Sequence, residues 1–175
     1  MKTLLWDTET NGLIRNSLTP LARQPRIIEL FCLILEDEVE VSTYHSLFSI
    51  GEKLSEEITS ITGLKDADLA SAPKWMEEAP KIKSMFESVD EVVAHNLKFD
   101  ASMVDNEMKR VGSSIVWPDK ICTVEATEWI KGFRLSLSAL HEYLFETAFT
   151  GAHRAEVDVR ALARCFIELR QRRFV

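Results

Sequence analysis

Four carboxylates in this chain occupy places that its apolar pattern would otherwise give to core residues. Residues 2–9 form an apolar run that ends in Asp7, Thr8 and Glu9, which reads as a buried strand. Alternate residues of a strand share a face, so Asp7 and Glu9 project together. Two such charges repel, and one protonates unless a cation lies between them. A solvated loop just past the strand would fit the same spacing, since Thr10-Asn11-Gly12 supplies a turn. The third acid is Asp100. A helix expected from about Lys98 to Val111 has an apolar stripe of Val104, Met108 and Val111, flanked by Phe99 and Met103. One turn back along that stripe stands Asp100, an inward-facing acid that would also favour the helix N-terminus by about 0.3–1 kcal/mol. The fourth acid, Asp158, heads a stripe continued by Leu162 and Phe166 in a helix expected over 155–171. The opposite face carries Glu156, Arg160, Arg164 and Glu168 and reads as a solvated, ion-paired surface. A carboxylate at the head of a buried stripe requires a cation, a hydrogen-bond donor or a metal.

If the four segments converge, they make an oxygen-rich site of the kind that magnesium and manganese prefer. Two such ions can activate a water and stabilise the leaving oxygen of a phosphodiester. A general base would complete the set. Of the four histidines, His45 falls in an expected strand and His141 in an expected helix, where structural roles suffice. His153 precedes Asp158 by five residues, about 140° around a continuous helix, so the two share a face only if His153 sits in the loop before that helix. There its imidazole could take a proton from an attacking water. A surface histidine is the plainer alternative.

The elements that must position these groups follow from the pattern. After the first strand, residues 26–36 are too β-branched and aromatic for a helix, residues 39–48 alternate, and Glu36-Asp37-Glu38 suits a hairpin turn. Ser55-Glu56-Glu57-Ile58 resembles a capped helix start with Gly63 as its stop. Ala79-Pro80 should interrupt the next stretch, with a helix over residues 81–88. Glu91–Ala94 reads as a short strand, Trp117-Pro118 as a loop, and residues 123–130 and 136–145 as helices. The expectation is one α/β domain over residues 1–175, a mixed sheet of about five strands flanked by helices, the first three strands forming an antiparallel meander.

Composition narrows the function classes. With 46% hydrophobic and 28% charged residues, 175 residues can bury a core without staples. Cys32, Cys122 and Cys165 are too far apart for a metal or disulfide framework and read as reduced, small apolar residues. No apolar run has the length of a membrane span, and an acid at position 7 comes too soon for a signal peptide, so a soluble, cytoplasmic protein is expected. The net charge of −7 disfavours a tight non-specific nucleic-acid binder. It is compatible with an enzyme whose clustered carboxylates are neutralised by bound cations.

Three segments carry a family resemblance. Asp7-Thr8-Glu9-Thr10-Asn11-Gly12 resembles the first motif of the DEDDh (DnaQ-like) 3′→5′ exonucleases, the family of the proofreading subunit of bacterial replicative DNA polymerase. His95-Asn96-Leu97-Lys98-Phe99-Asp100 is similar to the second motif, and His153-Arg154-Ala155-Glu156-Val157-Asp158 to the third. Their order and spacing fit, and the resemblance spans nearly the whole chain. It implies a ribonuclease H-like fold and two Mg²⁺ ions, for which Mn²⁺ would substitute. It further implies metal ligation by Asp7, Glu9, Asp100 and Asp158 and a general base in His153. Thr10 and Leu13 fall where the family holds the terminal nucleotide, and Asn96 and Phe99 where it supports the strand, although core packing alone would explain Phe99. Cys122-Thr123 stands where many relatives have Asp-Thr. Arg170, Arg172 and Arg173 form a basic end that would touch a phosphate backbone or be a solvated terminus.

The leading expectation is hydrolysis of single-stranded or frayed DNA from the 3′ end, releasing nucleoside monophosphates. The alternatives are the same chemistry on RNA ends and a proofreading subunit active mainly with a polymerase partner. Oligomeric state is not legible.

Overall fold

The computed structural model describes residues 1–147, 149, 151 and 153–175. Its centre is β1 (Lys2–Thr10), in which Leu4, Leu5 and Trp6 are fully buried. Beside it run β2 (Ile27–Glu36) and β3 (Val39–Leu47), joined by Asp37 and Glu38. Both turn residues have positive φ, 50° and 66°, the left-handed geometry of a two-residue hairpin turn that matches strand twist. Three helices follow: α1 (Glu56–Thr62), α2 (Asp66–Leu69) and α3 (Trp75–Glu87). The Ser55 hydroxyl accepts the Ile58 N–H at 3.2 Å and Gly63 ends α1 at φ 73°, so its sequence signals act as read. Then come β4 (Glu91–Ala94), α4 (Leu97–Arg110), β5 (Asp119–Cys122), α5 (Thr123–Lys131), α6 (Leu137–Phe145) and α7 (Ala155–Gln171).

The sheet order is β3-β2-β1-β4-β5; the first three strands are antiparallel, and β4 and β5 run parallel to β1. The expected meander and five-stranded mixed sheet are therefore present. One local expectation fails: Pro80 does not break the chain but lies inside α3. Trp75, Ala79, Ile82 and Phe86 form a buried stripe on both sides of the proline, and that packing outweighs the hydrogen bond Pro80 cannot donate.

Helices cover both faces. Leu4 and Trp6 of β1 pack with Phe86 of α3 and Met103, Val104 and Met108 of α4. Leu5 points the other way, toward Phe31 and Leu33 of β2 and Val159, Leu162 and Phe166 of α7. Strand alternation then puts Asp7 and Glu9 on the α7 side. A further consequence comes from strand length. β4 pairs only with Thr3, Leu4 and Leu5, so β1 outruns it and leaves an open edge near Thr8. The N-terminal turn of α4, which follows β4 after two residues, sits by that edge. The three cysteines are free thiols, and among the described residues no helix is long and apolar enough to cross a membrane.

Candidate active site

Both layers deliver an acid to the end of β1. From α7, Asp158 joins Asp7 and Glu9, and one carboxylate oxygen from each lies within 4.8 Å of the others. From α4, buried Asp100 reaches the open edge of β1, where its Oδ1 accepts the Thr8 hydroxyl at 2.6 Å and the Thr8 N–H at 3.2 Å. Asp100 thus takes a backbone bond that no strand is present to make. The sequence expectation of an inward Asp100 and Asp158 holds geometrically, and Thr8 is the link it did not foresee.

The cluster strongly opposes its own ionisation. Burial, then the charges of Asp100 and Glu9, hold the Asp7 carboxyl well above the usual range. Burial and the charges of Asp158 and Glu29 push Glu9 up to about 8, against the pull of Arg154. Burial lifts Asp100 to about 7 although both Thr8 hydrogen bonds favour its ionised form, and burial also raises Asp158. Hard oxygen donors crowded this closely, with one neighbouring arginine to offset them, fit divalent cations, which would remove the repulsion.

His153 lies just before α7 with φ 70°, and its backbone N–H donates to Asp158 Oδ2 at 2.8 Å. The turn thereby takes His153 off the helix, as sharing a site with Asp158 requires. Two further residues anchor this turn and were not singled out from sequence. Glu29 of β2, opposite Glu9 in register, is fully buried. Its carboxylate accepts from Arg154 Nε at 3.2 Å and Nη2 at 3.1 Å, and lies 2.8 Å from His45 Nε2. The available signal was an acid set among Ile27, Ile28, Leu30 and Phe31, where only a partnered charge is tolerated. His45 is therefore structural, as expected, and so is His141, whose Nδ1 lies 2.8 Å from the Thr147 carbonyl.

The four positions expected from the resemblance to hold substrate divide. Leu13 is 79% exposed beyond the end of β1, a large apolar side chain held out to solvent. The Thr10 hydroxyl is turned inward and donates to the Gly12 carbonyl at 2.8 Å, so Thr10 shapes that turn. Asn96, at φ 71°, caps the approach to α4 and accepts from Arg134, and Phe99 is half-buried against the core. His95, in the same motif, is fixed between the Thr123 hydroxyl at 2.9 Å and the Leu135 carbonyl at 3.1 Å. Burial pushes its pKa down to about 4, which keeps the ring neutral. Thr123 is fully buried in this contact, which gives the Cys122-Thr123 segment a packing role.

Two of the three arginines of the basic end are engaged within the chain. Arg170 holds Glu91 through both carboxylate oxygens at 2.6 Å, and Arg172 holds Glu168 at 2.6 Å. Glu91 pairs with Thr3 in register, which places Arg170 at the opposite end of β1 from Glu9. Arg170 and Arg172 are thus each paired with an acid of the chain, and Arg173 is exposed.

The comparisons agree with the geometry. The sequence model of an exonuclease family, of RNase T type, matches residues 4–166. A PolC-type DNA polymerase III from Caldanaerobacter subterraneus is 27% identical over 170 residues, which cover 95% of this chain and 11% of that protein. The DNA polymerase III subunit epsilon of Buchnera aphidicola is 24% identical over 170 residues, 93% of this chain and 68% of that one. A zinc-bound complex of E. coli exonuclease I with single-stranded DNA superposes with a TM-score of 0.79 at 17% identity, over 99% of this chain and 42% of that one. With a family match over almost its whole length and the family's ribonuclease H-like architecture, this chain belongs to the DEDDh, DnaQ-like 3′→5′ exonucleases.

Proposed function

We propose that residues 1–175 form one divalent-metal-dependent exonuclease domain that hydrolyses single-stranded or frayed DNA from the 3′ end and releases nucleoside monophosphates. The observation that carries this reading is the meeting of the Asp7, Glu9 and Asp158 carboxylates within 4.8 Å, with Asp100 tied to the same strand through Thr8. These four acids would hold two magnesium ions, or manganese in their place. Bound there, such ions supply an activated water and neutralise charge at the leaving oxygen. The protein's own groups do the rest. His153, set off α7 by its left-handed turn, accepts the proton of the attacking water on its imidazole. Leu13 offers an apolar surface to the terminal base, on a turn that Thr10 shapes, and Asn96 and Phe99 flank the strand at the start of α4.

The DNA substrate rests on the relatives, which are named as DNA polymerase III proteins, and on the fold-mate, which is named as a complex with single-stranded DNA. The same names favour a second reading, in which the domain proofreads for a cytoplasmic polymerase. RNA ends remain the third substrate to compare. The test uses 5′-labelled single-stranded DNA, duplex DNA and RNA with magnesium or manganese. Stepwise shortening of the DNA strand is expected, with its loss in chelator and in Asp7→Ala. Intact substrates under every condition, with and without an added polymerase, would end the nuclease reading.

A further inference from the structure

A second charged feature borders the acidic site and has the opposite sign. The chain holds 28 acids and has a net charge of −7, yet no acid occurs between Glu9 and Glu29. That interval carries Arg15, Arg23 and Arg26, and most of it is the connection from β1 to β2. Asp37 and Glu38 suffice to join β2 to β3, so the length here is not a demand of antiparallel topology. The only regular piece of this connection is a single 3-10 turn at Leu21–Arg23, and long connections of this kind are often functional.

The connection is built rigidly. Its neck is closed by Asn11, whose N–H donates to the Arg26 carbonyl at 3.0 Å and whose Oδ1 accepts the Arg26 N–H at 2.7 Å. Its middle is cross-braced by buried Gln24, which accepts the Arg15 N–H at 2.9 Å and donates to the Asn16 carbonyl at 3.1 Å. Its far side is held by Arg110 of α4, which donates to the carbonyls of Leu21, Gln24 and Pro25 at 2.8–3.1 Å. Arg26 is itself engaged by Glu107 at 2.7 Å. Arg15 and Arg23, by contrast, are exposed, and among the described residues neither guanidinium has an acid or a hydrogen-bond partner. Loop bracing therefore consumes one arginine and leaves two presented on a stiff frame.

Their position is specific. Arg15 and Arg23 line one hollow together with Asn11, Gly12 and Leu13, the residues that immediately follow the acidic strand. Arg15 also borders a cleft of about 450 Å³ between this loop and α4, with Lys109 on the helix side. The acid in that cleft, Asp105, accepts the Trp117 indole N–H at 3.0 Å. Glu52 stands on the rim of the first hollow. A cationic path thus leads away from the site, between the loop and the outer face of α4.

We infer that this braced loop is a backbone-binding arm: Arg15 and Arg23, with Lys109 opposite, hold phosphates of the single strand on the 5′ side of the nucleotide being removed. The inference rests on the nuclease reading for the identity of the strand. A polyanion approaching an acidic protein gains little from its overall field, so a local positive surface beside the site adds attraction for the part of the strand that lies away from the acids. Guanidinium groups suit phosphate oxygens, and a preformed loop loses little freedom when it binds them. Phosphate contacts carry no sequence information, which suits an enzyme that must accept successive nucleotides of any base.

The experiment compares the full chain with Arg15→Ala/Arg23→Ala and Arg15→Lys/Arg23→Lys. A fluorescent single-stranded DNA 12-mer and a dinucleotide serve as probes, with calcium in place of magnesium for equilibrium binding. The alanine pair is expected to weaken 12-mer binding at least about tenfold, while the lysine pair retains most of it. The slope of log K against log salt should become shallower by about 1.4 in the alanine pair, roughly 0.7 for each lost phosphate contact. With magnesium, kcat/KM for the 12-mer should fall relative to kcat/KM for the dinucleotide. Equal 12-mer affinity and salt slope in the parent and alanine chains would overturn the arm, even with strand shortening intact. A parent chain that fails to bind the 12-mer would overturn it as well, and an acidic protein partner would then be the better occupant of the surface. Binding that depends on the arginines without any strand shortening would instead remove the nuclease reading and leave the arm standing.

Discussion

His153, the proposed base, depends for its position on Glu29, which is fully buried beneath the turn that carries it. His153 owes its placement to a left-handed turn, and that turn is pinned on one side by Asp158 and on the other through Arg154 to Glu29. Removing the imidazole by His153→Ala should leave metal-dependent strand binding in place and lower kcat by roughly 10²–10⁴-fold, the usual loss of a general base. Glu29→Gln keeps the size of the side chain but gives up the charge that holds Arg154. A small misplacement of a reacting group is costly, so we expect kcat to fall by roughly tenfold to a hundredfold with KM nearly unchanged. Steady-state kinetics on labelled DNA separates the two parameters, and a change confined to KM would contradict a positioning role for Glu29. Neither variant should shift the melting temperature as far as a core truncation does. Asp7 and Glu9 were legible from sequence because strand alternation alone puts them side by side. Glu29 was hidden by the same rule, since an isolated acid in an apolar strand says that a partner exists without saying which. Of its two side-chain partners, His45 lies on the neighbouring strand but Arg154 lies 125 residues away, a distance that no local pattern spans.

At the scale of elements, what could be read from sequence were the strongly patterned segments: β1 to β3, α1 with its serine cap and glycine stop, and α7 with its buried stripe. The fifth strand, Asp119–Cys122, has four residues and no alternation of its own, and it exists because β4 offers it an edge. The reach of β1 beyond β4 was equally invisible, yet it is what admits the α4 turn and places Asp100 against Thr8. Pro80 marks the opposite error, where a strong local signal was overridden by packing. Its nitrogen cannot bond the Met76 carbonyl, while Ala79 and Ile82 on either side are buried and Pro80 itself is exposed. Pro80→Ala should therefore restore a helix hydrogen bond without disturbing the core. The expected gain is about 1–3 kcal/mol, less than the full penalty of proline in a helix because the unfolded chain also gains freedom. Urea unfolding monitored by helix signal measures it. A loss of stability would mean that α3 owes its geometry to the proline.

Across the whole molecule, the four clustered acids act against the fold until something neutralises them. For Glu9 and Asp100 the folded values, about 8 and about 7, lie above their ordinary values of 4.5 and 3.8, and Asp7 and Asp158 are displaced the same way. Such groups bind protons more tightly in the folded than in the unfolded protein. The stability they permit is complete below the ordinary carboxylate values and is lost as pH rises through the folded ones, from about pH 4 to about pH 8. The metal-free protein should accordingly melt at lower temperature near pH 8 than near pH 5.5, the acidic limit of a convenient scan. Glu9→Gln/Asp100→Asn should flatten that slope, because neutral amides lose nothing when pH rises. Magnesium should reverse the trend: it binds the ionised carboxylates, so the rise in melting temperature it produces should be larger near pH 8 than near pH 5.5. Mixing near pH 7 should also release protons into a weakly buffered solution, in an amount that the double variant does not match. Scanning calorimetry with and without magnesium at both pH values checks the two slopes. A metal-free protein equally stable at both values, or a magnesium effect independent of pH, would mean that the four carboxylates are not the groups that magnesium neutralises.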